Sequence, residues 1–555
     1  VEVAGSGILQ HDGNGVVSSL KFTGNVADVL RGNGTFGAAG SGSSAVWMLN
    51  GNAGTNPSTD FIGTTDAQPL VFRMKNQRSG LIDSALKNTT FGFKTLASNT
   101  TGNGNTAIGY QALDLNTTGS DNTATGSSAL YYNTAGYFNT ANGYEALYSN
   151  TQGNYNTANG FQALYYSTLG YNNTANGADA LYSNTSGSYN TATGSNALAE
   201  NKTGNNNTAT GYFSLQYNTT GSTNTATGVE SLNRNSTGYD NTADGYGALY
   251  VNNTGYDNTA TGSSALYHNI SGYNNTGIGY YAINANRTGH NNTATGYYAL
   301  NANTTGFYNS ASGTGGLYLN TIGSYNTASG SYALYSNTSG YFNTALGYNA
   351  DVSTGTFVNA TAIGYNAVVN SSNKIRLGNA SVTVIEGQVA YSYPSDGRFK
   401  TNISEHVKGL DFIMRLRPIV YNFQTKKYEE FVTGKTNKDA KFAASIDYSE
   451  SEKIRHNGFI AQEVEKAAKE SGYEFDGVVT PKNDKETYGL SYSQFVVPLV
   501  KAMQEQQKII DDIKKQVGQS EMPAIVSKQQ AIIEDQQKQI DELTKEVHQL
   551  MEKMK

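Results

Sequence analysis

Glycine returns at every seventeenth position along much of this chain, at 92, 109, 126, 143, 160, 177, 194, 211, 228, 245, 262, 279, 296, 313, 330, 347 and 364. A second glycine series runs in phase from Gly102 through Gly119 and Gly136 to Gly340, and asparagine recurs at 105, 122, 139 and onward to Asn343. Three ladders with one period demand a repeat architecture, in which each unit is a structural copy of the one before it.

Residues 101–117 read TGNGNTAIGYQALDLNT and residues 118–134 read TGSDNTATGSSALYYNT, so the common core is G-x-x-N-T-A-x-G-x-x-A-L. A unit with so few apolar residues cannot bury a core alone and has to stack on its neighbours. Two glycine-marked corners and segments of three to five residues suit a β-solenoid coil better than a helical repeat of about 30 to 40 residues. Gly, Asn and Thr also disfavour helix. In such a coil the glycines take positive φ or permit tight corners, while Leu113, Leu130, Leu147 and Leu164 form an interior stripe. Seventeen coils at a strand spacing of about 4.8 Å make a rod roughly 80 Å long, and Asn105, Asn122 and their successors are placed to form an amide ladder along it.

The N-T-A-[IT]-G units over residues 92–370 resemble the head repeats of trimeric autotransporter adhesins, which implies a left-handed parallel β-roll assembled as a homotrimer. The period here is longer than that family's usual one. That class ends in membrane-anchoring strands, whereas this sequence ends HQLMEKMK.

Composition separates the repeat from disorder. Charged residues are 14%, the net charge is only -6, and aromatics reach 11% with 40 tyrosines, whereas disordered chains combine high net charge with few aromatics. Cysteine is absent, which removes disulfides and thiolate metal sites, and no apolar run approaches the roughly 18 residues of a membrane span. The sequence starts at Val1, which is compatible with loss of a leader and with export.

Five regions are expected. Residues 1–90, with strand-like SSLKFTG, AVWMLNG and QPLVFRMKN and the single Trp47, form a β-rich base or docking module. Residues 91–370 are the solenoid shaft and 371–394 a β neck, where NKIRLGN, VTVIEGQ and VAYSY read as closing strands. Residues 395–497 are a small α/β domain, since basic residues, limited to Lys202, Arg234 and Arg287 over 101–365, become dense beyond 394. It contains a helix candidate EHVKGLDFIMRLRP, a strand IVYNF and a helix GFIAQEVEKAAKE. Residues 498–555 form a helical tail. Val496, Leu499, Met503, Ile510, Ile513 and Val517, then Val526, Ile533, Ile540, Leu543, Val547, Leu550 and Met554, follow heptad spacing and predict a coiled coil in two pieces. Gln529 and Gln536 at core positions leave its strand number open, and a hairpin within one chain is the alternative.

The motifs S-D-x-R-x-K at 395–400, GFIAQEV and YSQFVVPLVKAMQE resemble the intramolecular chaperone at the C-terminus of phage endosialidases, tailspikes and tail fibres, over roughly 395–510. That resemblance implies a domain that trimerises, guides folding of the stalk and cuts itself off. It maps the self-cleaving pair to Ser395 and Lys400, with Asp396 and Arg398 at the other motif positions. The chemistry is sound, because serine becomes a nucleophile once a base removes its proton and lysine serves when burial lowers its pKa. Taken alone, the same residues read as a turn followed by a solvated lysine, and Pro394 stiffens the bond beside the serine.

Other sites are weaker. Tyrosine follows the Ala-Leu pair at 131, 148, 165, 182, 250, 267, 318 and 335, a ladder that either stacks on itself or offers faces to sugar rings. Asp240 and Asp244 are a marginal calcium candidate, the six histidines are scattered, and no cofactor is implied. The shaft carries no basic patch for nucleic acid. The function read from the sequence is a structural and adhesive extracellular fibre subunit, as a virion fibre or a secreted bacterial surface filament, with a cell-surface glycan or protein as possible receptor. Its only enzymatic activity would be cutting in cis. A cell-surface trimeric adhesin is the alternative, followed by a polysaccharide-degrading tailspike, for which no paired carboxylates are evident.

Overall fold

The computed structural model describes residues 56, 58, 61–389, 392–434, 446–484, 486–516 and 522–553, with the backbone of four short strands between Leu9 and Ala38. Trp47 and the segment AVWMLNG lie outside the described residues, as does most of SSLKFTG.

The repeat is a β-solenoid. Each coil contributes one short strand, such as Thr106–Ile108, Thr123–Thr125 and Thr140–Asn142, which pairs in parallel with the strand of the next coil, Thr with Thr and Ala with Ala. The remainder is stacked turns, and these also bond from coil to coil. The Leu113 N–H donates to the Ala129 carbonyl at 3.0 Å and the Gly126 N–H to the Ile108 carbonyl at 2.8 Å. The pairing runs in sequence order from Leu70–Met74 to Ile375–Leu377, and nothing pairs those two ends with each other. A column rising about 4.8 Å per coil cannot close on itself.

Glycine acts in two ways. The first series has φ between 112° and 144°, a region that favours glycine, and a Cβ at Gly279 would stand 2.6 Å from the Gly296 carbonyl oxygen. The second series is held by crowding, since a Cβ at Gly119 would strike the amides of Asn116 and Asn133.

Ala107, Ala112 and Leu113, and their counterparts in successive coils, are fully buried. The leucines turn the inner corner in the left-handed conformation, with φ of 53° at Leu113 and 52° at Leu130. That conformation costs roughly 1–2 kcal/mol, close to the about 1.5–3 kcal/mol gained by burying a leucine. Burial alone therefore leaves little surplus, and the hydrogen bonds between coils have to hold the corner.

The interior contains two amide ladders. In one, Asn122 Nδ2 donates to Asn105 Oδ1 at 3.1 Å and to the Gly136 carbonyl at 2.9 Å, while Asn105 Oδ1 also accepts the Asn122 N–H. This continues to Asn343, whose Oδ1 accepts from the Ala360 N–H. The second ladder, 99, 116, 133, 150 and then 184 to 337, links each Nδ2 to the preceding Oδ1 and to the carbonyl of the glycine that follows in the same turn. Serine interrupts it at 167, and there Ser167 Oγ and Asn150 Oδ1 are both buried without a partner.

Both ends of the column are covered. At the start, the antiparallel hairpin Leu70–Met74 and Gln77–Asp83 lies on Asn88–Phe91. At the far end the last coil is shorter, because Thr361 stands opposite Ile375 where the regular period would bring Gly378. Among the described residues only Ile375–Leu377 of the expected neck strands forms, and VAYSY lies partly outside the described residues. Residues 381–389 carry none, and just before them the Ala380 N–H goes to Glu429.

The C-terminal region is α/β. Its helices are α1 (Leu410–Ile413), α2 (Thr425–Thr433), α3 (Ser449–Lys453), α4 (Ala461–Glu470), α5 (Val496–Gln516) and α6 (Met522–Lys553). Ile419–Asn422 pairs antiparallel with Arg455–Gly458, and Phe412, Val464, Ala467, Ala468 and Phe495 form the core. The expected helix over 405–418 shrinks to the single turn of α1. The Leu410 N–H is taken by Glu505 of α5, Gly409 is pressed against the Lys501–Ala502 backbone, and Pro418 bars extension. The two tail helices form an antiparallel hairpin in one chain, with Val496, Leu499 and Met503 facing Ile540, Leu543 and Val547 across a gap. A coiled coil between chains is not shown.

The break at Ser167 yields a prediction. Ser167→Asn restores a donor for Asn150 and an acceptor for Asn184, and raises stability by about 1 kcal/mol in urea unfolding, whereas Asn218→Ala lowers it by about 1–3 kcal/mol.

Candidate functional site

The Ser395–Lys400 segment is built by a local turn. The Asp396 carboxylate caps the 3-10 turn Gly397–Phe399 by accepting the Arg398 N–H at 2.9 Å, and it grips the same guanidinium through Nε and Nη2 at 2.9 and 2.6 Å. The Lys400 N–H closes the turn on the Gly397 carbonyl. The chain thereby doubles back, and Lys400 Nζ donates to Ser395 Oγ at 2.8 Å. The hydrogen bonds to Arg398 hold the Asp396 carboxyl below its ordinary range, so both charges of the clasp persist at neutral pH.

The structure thus brings together all four residues of the motif. What it lacks in a single chain is cover. Residues 392–406 are all exposed, and Phe399 and Ile403 stand 83% and 78% open to solvent. The pair therefore has the contact for nucleophile activation but not the dry surroundings.

The tyrosine columns stack on themselves. Tyr131, Tyr148, Tyr165 and Tyr182 are separated by 5.0–5.4 Å with near-parallel rings. Burial first, and then a hydrogen bond with Tyr132, pushes the Tyr148 hydroxyl up to about 12, so the ladder stays uncharged. A second column missed in the sequence, Tyr239, Tyr256, Tyr273, His290 and Phe307, is tighter still at 4.7–5.0 Å and 1–10°. Each inner ring spends both faces on its neighbours, which leaves only edges and column ends for a sugar.

Asp240 and Asp244 are exposed on the shaft, and among the described residues no group of three or more His, Asp or Glu is placed to hold a metal. Among the same residues no helix is long and apolar enough to cross a membrane.

Residues 395–473 match the family described as chaperone of endosialidase. The match opens on Ser395, the nucleophile candidate, and takes in the Lys400 turn, the Ile419–Asn422 and Arg455–Gly458 strand pair and helices α1 to α4. A comparison with curated proteins returned no match. A β-solenoid joined to a segment similar to the chaperone of endosialidase fits the plan of a tailspike or tail-fibre subunit.

Stacking sets a measurable cost. Tyr256→Ala removes two parallel contacts and destabilises the shaft by about 1–3 kcal/mol, at about 0.5–1.5 kcal/mol per pair, in thermal unfolding followed by near-ultraviolet circular dichroism.

Proposed function

We propose that the chain is one subunit of an elongated, homotrimeric extracellular fibre, whose C-terminal segment guides folding and then cuts the chain beside Ser395. The observation that carries this reading is the 2.8 Å contact between Lys400 Nζ and Ser395 Oγ, at the first residues of the chaperone match and directly beyond the solenoid. In this plan residues 1–90 form the base, 91–370 the shaft, 371–394 the neck, 395–497 the chaperone and 498–555 the helical tail.

Cleavage needs the lysine neutral. Assembly supplies that condition if partner copies cover the turn, because burial disfavours the ammonium. The exposed Phe399 and Ile403 beside the pair supply apolar surface for such cover. Lys400 then takes the hydroxyl proton as Oγ bonds to the carbonyl carbon of the adjoining peptide. The C–N bond breaks, its nitrogen leaves with a proton, and water hydrolyses the resulting ester.

In the assembled fibre the shaft provides length. With most ring faces occupied, a receptor, whether a surface glycan or a protein, would be engaged by edges, column ends or the base. A cell-surface trimeric adhesin is the second reading, favoured by the Thr-Ala-x strands repeated along the column.

Electrophoresis of unheated and boiled protein tests the proposal. Wild type is expected to run as a resistant trimer when unheated and as two fragments, split near residue 395, after boiling. Ser395→Ala and Lys400→Met are expected to assemble yet remain full length. A monomer in sedimentation removes the fibre reading, and wild type as intact as Ser395→Ala removes the cleavage.

A further inference from the structure

The last coil of the shaft ends in a charge that the shaft cannot neutralise. Arg376, on the final strand, fixes its guanidinium by donating from Nη1 to the Val368 carbonyl and from Nε to the Gly378 carbonyl, both at 3.1 Å. Its Nη2 reaches Glu429 Oε2 of α2 at 2.6 Å, and the same oxygen accepts the Ala380 N–H at 3.2 Å. Both side chains are largely withdrawn from water, at 14% and 8% exposed, unlike the surface pair Arg417–Glu463 at 61% and 42%.

Three further observations make this a built joint rather than an incidental pair. The buried residues of α2 are Thr425, Glu429 and Val432, spaced as one face of a helix, and α2 touches the last-coil strand Val368–Val369 while none of its residues belongs to the chaperone core. Arg376 also lies over the Tyr428 ring of α2, 5.9 Å from its centroid. Lys374, close by in the chain and half-buried, adds a second cation beside Arg376 at the shaft end and donates from Nζ to Asn370 Oδ1 at 2.9 Å.

We infer that α2 is a docking element for the finished end of the shaft, and that the Arg376–Glu429 pair holds the C-terminal segment there without a covalent link. The guanidinium is presented in this orientation only once Val368 and Gly378 are in place, which means once the last coil has formed. Glu429 therefore recognises a completed coil. The pair also spans position 395, so scission beside Ser395 cuts the connection through residues 381–394 but leaves the docked joint intact.

The inference is independent of self-cleavage, and its test keeps the two apart. In a full-length Ser395→Ala background, a site for an exogenous protease is inserted in the exposed stretch between Gly387 and Val389, and the cut protein is run on native gel filtration. The two pieces are expected to co-elute, and Glu429→Gln or Arg376→Met to weaken their association at least 10-fold by dilution. Glu463→Gln, which breaks the exposed pair, is expected to have no effect. Far-ultraviolet circular dichroism of the uncut variants checks that the shaft has formed. Should Arg376→Met fail that check, Glu429→Gln, which leaves the shaft sequence untouched, decides the matter. Separation of the wild-type pieces, or unchanged co-elution of a folded Glu429→Gln, overturns the inference.

Discussion

Amide hydrogen bonding between successive coils is the constraint on which the molecule depends. A strand this short has no independent stability, and each coil buries two asparagine side chains whose donors and acceptors are satisfied largely by the coils on either side. Unpaired, such groups would cost more than the small alanine and leucine core returns. No coil can therefore exist alone, and a long column is the stable answer to a polar sequence. The glycines belong to the same constraint, because the coils approach too closely at those corners for any side chain.

A column of this kind has two ends, each of which exposes unpaired backbone. The first end is covered from within by an antiparallel hairpin, whose direction breaks the parallel register. The second meets the α/β region, where a helix carboxylate accepts the Ala380 N–H just beyond the last strand. The shaft's end and the chaperone-like segment thus share one joint, and the Ser395–Lys400 turn lies in the chain between them.

Period carried most of what the sequence revealed. The constant interval placed the coils, the leucine stripe, the first asparagine ladder and the first tyrosine ladder, because every one of these is a same-position contact between identical units. The second asparagine ladder was written with equal clarity at 99, 116 and 133, and its defect at Ser167 was visible as the one substitution in the run. Left-handed leucines were not legible, since propensity argues against them and only the stacked hydrogen bonds impose them. Local pattern failed where tertiary contact decides. Residues 405–418 have a helical pattern but are stopped by Gly409 against α5, and residues 381–389 have a strand pattern but find no coil to join. The Ser395–Lys400 pair was legible from its motif, whereas its 2.8 Å contact depends on the Asp396–Arg398 clasp that bends the turn. Arg376 and Glu429 lie far apart in the chain, with no sequence signal linking them.

A density map of the shaft at a resolution that separates strands is the most direct test of the account. Between Gly92 and Gly364 it should reveal a continuous column rising about 4.8 Å per repeat, with asparagine side chains lined up inside. Globular units, helices, or a rise that does not match one strand spacing per repeat would contradict it.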